Sequence, residues 1–187
     1  MKEREKLLRR VALKCADFAR QLSYHRALAE YKQDFAQRQD FWIYMYNNTI
    51  DLAVLDFMHL FGSHSDDLHW KKVVNEIDHD IFRNNLHQSV GMTEGEWKAD
   101  REKIKNYRDK DVAHIEVRPL SIVPEMTHAL QAVAYYYSVV IAELSAFGDY
   151  SAWPEQIEDY YEKSLAQSKA ISSLAIQASR GIQNKVR

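Results

Sequence analysis

The 187-residue chain carries 25 Lys and Arg against 27 Asp and Glu, a formal charge of −2, which counts against a protein that holds nucleic acid by bulk charge. The single Cys15 excludes an internal disulfide or a C-x-x-C site. No apolar run approaches the ~20 residues that span a bilayer, and the charged start Met1-Lys2-Glu3-Arg4-Glu5-Lys6 lacks an apolar signal core, so a cytoplasmic protein with no membrane partner is expected.

Five Gly and three Pro leave few turns, and helix formers fill the long segments. The expected fold is all-α, an antiparallel helical bundle in one domain. A first helix is predicted from about Lys2 to Gln37, with Leu8, Val11, Cys15, Phe18, Leu22 and Ala29 along one stripe. A second starts at Asp40 as N-cap and stops at Gly62, expected as the C′ residue. Its apolar residues, from Phe41 and Trp42 to Met58 and Leu60, lie on all sides, which predicts a central helix.

After the loop Gly62 to Asp67, a third helix is predicted from about Leu68 to His87. Gly91 to Gly95 breaks the chain again, and Thr93-Glu94-Gly95-Glu96 offers a capping box for a fourth helix ending near His114. Pro119 biases Arg118 toward extended backbone. Pro124 then suits the first position of a fifth helix, striped by Met126, Leu130, Val133, Tyr137, Val140 and Leu144 and closed by Gly148. Trp153-Pro154 opens a sixth, running to about Arg180.

Where the fourth helix is due to stop stands Arg108-Asp109-Lys110-Asp111-Val112-Ala113-His114. Arginine forks two N–H donors onto a phosphate, and histidine exchanges a proton near neutral pH. RNA cleavage by the neighbouring 2′-hydroxyl needs both. Between Lys98 and Lys110 six bases outnumber three acids, a basic stripe that suits a polyanion and makes Lys105 and Lys110 candidate phosphate contacts. Asp51 and Asn48, polar residues in the apolar second helix, are candidates to orient the Arg or the His. The alternative is that Arg108 pairs with Asp111 and that His114 is favoured by the helix dipole. Arg20 and His25 also match the spacing, but inside the first helix with no helix end beside them.

With its polar neighbour Asp109 and its place in a helical bundle, Arg108-x(5)-His114 resembles the signature of the HEPN superfamily (higher eukaryotes and prokaryotes nucleotide-binding domains). The wording Arg-Asp-Lys-x-Val-Ala-His, after a helix ending Leu60-Phe61-Gly62, looks most like the abortive-infection AbiU-type branch. The resemblance implies a four-helix core over about 38–148, with added long helices over about 2–37 and 154–180. It implies a metal-independent endoribonuclease acting as a homodimer in a toxin or phage-defence setting, with an antitoxin protein as a possible partner and neither cofactor nor metal. His114 would act as acid or base, and Arg108 would hold the phosphate. A non-catalytic module binding RNA, nucleotide or a protein is the second expectation. Toxins silenced by nucleotidylation carry Tyr two residues after the motif His, whereas this chain has Glu116.

On a continuous helix, six residues at ~100° each set Arg108 and His114 ~120° apart. They meet at one phosphate only if the last turn departs from α geometry or a second copy completes the site, and the dimer is the favoured expectation. His59, His64 and His69 crowd one loop with Asp66 and Asp67 but match no helical metal pair. Tyr135-Tyr136-Tyr137 face different directions on a helix, so some are expected in the core and some at an interface.

Overall fold

The computed structural model describes residues 2–35, 40–112 and 122–179. The described residues form eight α-helices with short 3-10 and π turns and no strand, an all-α fold. α1 spans Glu3–Ala29, and its stripe Leu8, Val11, Cys15, Phe18 and Leu22 is at most 1% exposed. This helix packs along α8 (Ile157–Ser179), α3 (Asp40–Phe61) and α7 (Thr127–Leu144). It therefore belongs to the same continuous core as the helices that follow it.

The predicted first helix does not run unbroken to Gln37. It turns after Ala29 and resumes as α2, Lys32–Phe35, although neither Gly nor Pro marks the break. Burial supplies the reason. Folding back seats Phe35 with Leu28 and Ile176 in a small second cluster flanked by Trp42 and Tyr46.

α3 is central only over its second half, where Ile50, Ala53, Val54, Phe57, Leu60 and Phe61 are sealed. Its first half leaves Phe41 60% and Tyr44 65% exposed, contrary to the expectation of a helix buried on every side. Gly62 is not left-handed; the only positive φ among the described residues is at Gly91. What Gly62 supplies is room, since a Cβ there would run into the Met58 carbonyl oxygen.

The predicted third helix is split. α4 covers Trp70–Val73, Val74 turns extended, a 3-10 turn follows at Glu76–Asp78, and α5 runs His79–Val90. The split lets Trp70 stack on Phe82 at 4.7 Å and His79 Nε2 donate to the Val74 carbonyl at 3.0 Å. α5 ends at Gly91, φ 65°, whose freedom from a Cβ makes that left-handed cap cheap.

α6, Glu94–Tyr107, begins with the expected capping box: Glu96 N–H donates to Thr93 Oγ1 at 3.3 Å and Thr93 N–H to Glu96 Oε2 at 2.9 Å. α7 starts at Thr127, three residues beyond Pro124. The N-cap is Met126, whose side chain makes no cap bond, and the Glu125 carboxylate before it accepts the Thr127 N–H at 3.0 Å. Tyr136 and Tyr137 are core residues whose hydroxyls donate to the carbonyls of Leu68 (3.1 Å) and Pro154 (2.6 Å). Pro154 precedes α8 rather than opening it.

Candidate functional site

α6 is held on the core by Trp97 and Ile104, with Trp97 edge-on to both Phe57 and Phe61 of α3. After Tyr107 its α geometry gives way to a π turn over Arg108–Val112. Such turns are rare and concentrate at functional sites. Here the turn coincides with Arg108–Val112, the described part of the motif segment.

Tyr107 anchors the start of this turn. Its hydroxyl donates to Asp51 Oδ1 of α3 at 2.9 Å. Burial pushes the Asp51 carboxyl above the usual range, the hydrogen bond from Tyr107 opposes that, and the nearby charge of Asp111 adds to it. The Tyr107 phenol is pushed well up, first by burial and then by its bond to Asp51. Asp51 thus reaches the motif through the residue immediately before it. Tyr107 was not among the residues singled out from sequence; the available signal was an aromatic directly ahead of the motif Arg in a helix lined with charge.

Arg108 is half-buried, and its Nε lies 2.5 Å from Asp109 Oδ1 in an ion pair off the line of a hydrogen bond. Asp109 also pairs with Lys105 at 3.3 Å. Burial pushes Asp109 up, but the bond to Lys105 and the charge of Arg108 outweigh it and hold the carboxyl below its ordinary range. Lys105 is shared with Glu102 at 3.5 Å, and Lys110 is exposed. Asn48 sits half-buried on α3, three residues before Asp51. The structure therefore brings Arg108, Asp109 and Lys105 together and docks them on Asp51 through Tyr107. His114, Glu116 and Pro119 lie outside the described residues.

The predicted basic stripe is divided. Lys103 pairs with Asp100 at 3.7 Å, and Lys105 and Arg108 share Asp109, so local acids offset this part of the helix. The earlier Arg20/His25 match is structural: Arg20 pairs with Asp17, and the buried His25 ring donates from Nδ1 to the Tyr46 carbonyl at 3.1 Å.

In the histidine-rich loop, His59 Nδ1 pairs with Asp66 Oδ2 at 2.5 Å. His69 is fully buried and caps α4, its Nδ1 accepting the Lys71 N–H at 3.2 Å. Among the described residues no group of three or more His, Cys, Asp or Glu side chains is arranged to hold a metal ion. No helix there is long and apolar enough to cross a membrane. Compared with family models, curated proteins and solved structures, the chain matches none.

Proposed function

We propose that this protein is a HEPN-like, metal-independent endoribonuclease in which Arg108 binds the scissile phosphate and His114 moves the proton. The observation that carries the reading is the π turn over Arg108–Val112, docked on α3 through the Tyr107–Asp51 bond. It presents a half-buried guanidinium whose Nε is engaged by Asp109, while the terminal nitrogens keep the forked geometry that grips phosphate oxygens. In the proposed reaction His114 takes the proton of the ribose 2′-hydroxyl. The freed oxygen attacks the adjacent phosphorus, the 5′-oxygen departs and is protonated, and a 2′,3′-cyclic phosphate remains. Arg108 balances the charge that builds on the phosphoryl oxygens.

Self-association into a homodimer is part of the proposal. It is supported by an exposed stripe on α3 formed by Phe41, Tyr44, Met45 and Leu52, on the helix that carries Asp51. A toxin or phage-defence role, with an antitoxin as partner, follows from the same resemblance.

The test is incubation of purified protein with RNA in the presence of a chelator. Cleavage with cyclic phosphate ends is expected, falling by ~10²-fold or more in His114→Ala and severely in Arg108→Ala, with both variants folded. Binding of RNA without turnover, weakened by Arg108→Ala and by salt, would instead establish the non-catalytic module. Cleavage abolished by the chelator would establish a metal enzyme.

A further inference from the structure

Away from the Arg108 turn, a cleft of about 240 Å³ opens between α4, α5, α6 and the loop after α3. Four fixed cations line it: Lys71 from α4, Arg83 from α5, and Lys98 and Arg101 from α6. Glu94 is the single carboxylate in the lining, and Arg83 is paired with Asp80 of its own helix at 3.1 Å, so Lys71, Lys98 and Arg101 stand against one acid. In a chain of net charge −2, this is a local excess of positive charge built from separate elements. It is therefore no mere solvated face of one helix.

Arg101 is the telling member. It is half-buried, makes no ion pair or hydrogen bond among the described residues, and burial lowers its pKa. The carboxylate that acts on it, that of its neighbour Glu102, is shared with Lys105. His64 at the rim is pushed down as well, first by desolvation and then by the charges of Lys71 and Arg101. Behind His64, with ring centres 4.8 Å apart, lies the sealed His69. Because its Nδ1 accepts from Lys71, its proton sits on Nε2, and that N–H has no partner among the described residues. Collecting cations in this way is unfavourable unless an anion completes the site.

We infer that this cleft is a binding site for a phosphate group. A carboxylate ligand offers one charge and two oxygens, too little to engage cations arriving from three helices, whereas a phosphate offers more of both. The volume falls below the ~300 Å³ at which sites for whole drug-sized ligands begin, which favours one charged group of a ligand over a complete nucleotide. Trp70 and Trp97 wall the cleft yet are only 4% and 5% exposed, so they stiffen it and leave no open face for a base to stack on. The site stands apart from the proposed catalytic turn. Arg101 and Arg108 are seven residues apart along α6 and its π extension, ~10 Å of helix rise.

The experiment is calorimetric titration of the full chain with pyrophosphate. Saturable binding is expected, weakening as salt rises, and reduced about tenfold or more in Arg101→Gln/Lys98→Gln. Lys103→Gln, on the same helix but outside the cleft, should bind like the parent. Thermal melting checks the fold; if the first pair unfolds, Lys71→Gln/Lys98→Gln carries the same test. A second titration compares an oligoribonucleotide bearing a 5′-phosphate with its 5′-hydroxyl counterpart. Preference for the phosphorylated end, lost in the cleft variants, identifies an RNA terminus as the source of the phosphate. Equal affinity for both oligomers alongside retained pyrophosphate binding identifies a small free anion. No saturable heat with pyrophosphate, or unchanged affinity in folded cleft variants, overturns the inference. Because no readout is cleavage and Arg108 is untouched, failure here leaves the ribonuclease reading standing, and the reverse also holds.

Discussion

At the scale of single residues, the bond between Tyr107 and Asp51 decides whether the motif turn stays on the core. A carboxylate on a half-buried helix face is costly, and its altered acidity shows the cost; the phenol offsets part of it. Tyr107→Phe should therefore destabilise the protein by about 1–3 kcal/mol, because it strands an acceptor rather than merely deleting a contact. Asp51→Asn removes the charge that needs the bond, so the double variant should lose less than the sum of the two single losses. Urea unfolding of all four proteins measures this, and strictly additive losses would refute the coupling. Arg108→Lys isolates a different property. Lysine keeps the charge but not the planar fork, so RNA cleavage should fall nearly as far as in Arg108→Ala, with the fold intact by circular dichroism. Retention of parental activity in the lysine variant would show that charge alone suffices.

At the scale of elements, what the chain announces locally and what only packing decides separate cleanly. The start of α6 was legible because Thr93 and Glu96 satisfy each other's backbone donors within a single turn. The stripe of α1 was legible because its spacing matches helical periodicity. The turn after Ala29 and the split at Val74 were not, since neither carries a breaker; Phe35 and Trp70 reach their pockets only if the backbone bends there. Pro124 misled because it is not the first residue of α7, which begins only at Thr127, behind the N-cap Met126. At the candidate site, Arg108 and Asp51 were visible as types in a pattern, whereas Tyr107, which joins them, becomes visible only once α3 and α6 are packed. Two substitutions test the local rules. Thr93→Ala should cost about 1 kcal/mol through loss of the cap, read by thermal melting. Gly62→Ala should cost about 1–3 kcal/mol, the range for forcing atoms into a filled space, because its Cβ meets the Met58 carbonyl. A neutral Gly62→Ala would mean that the end of α3 yields.

At the scale of the whole molecule, buried histidines tie stability to pH. Desolvation, aided by the nearby charges of His64, Arg101 and Lys71, pushes His69 down to about 4, and burial also lowers His25. Unfolded, both rings take a proton near pH ~6.5. As the solution is acidified through that value, the unfolded chain binds protons that the native state refuses, so native stability falls with pH. For His69 the decline runs from about 6.5 to about 4, and it amounts to roughly 3–4 kcal/mol at most, taking ~1.4 kcal/mol for each unit of separation. Asp51 and Asp56 act in the opposite sense, because burial raises both carboxyls and the folded chain takes up their protons first. The net slope is thus a difference, and a variant must isolate the histidine. His69→Asn serves, since its side-chain oxygen replaces the Nδ1 acceptor that caps α4 but does not titrate. It should begin less stable at neutral pH, having lost ring contacts with His64 and Trp70. Between pH 6.5 and 4.5 it should then lose less stability than the parent, as chemical denaturation across that range would show. Parallel curves for the two proteins would mean that His69 takes up its proton in the folded state as readily as in water, and that the cationic wall around it is better screened than its burial implies.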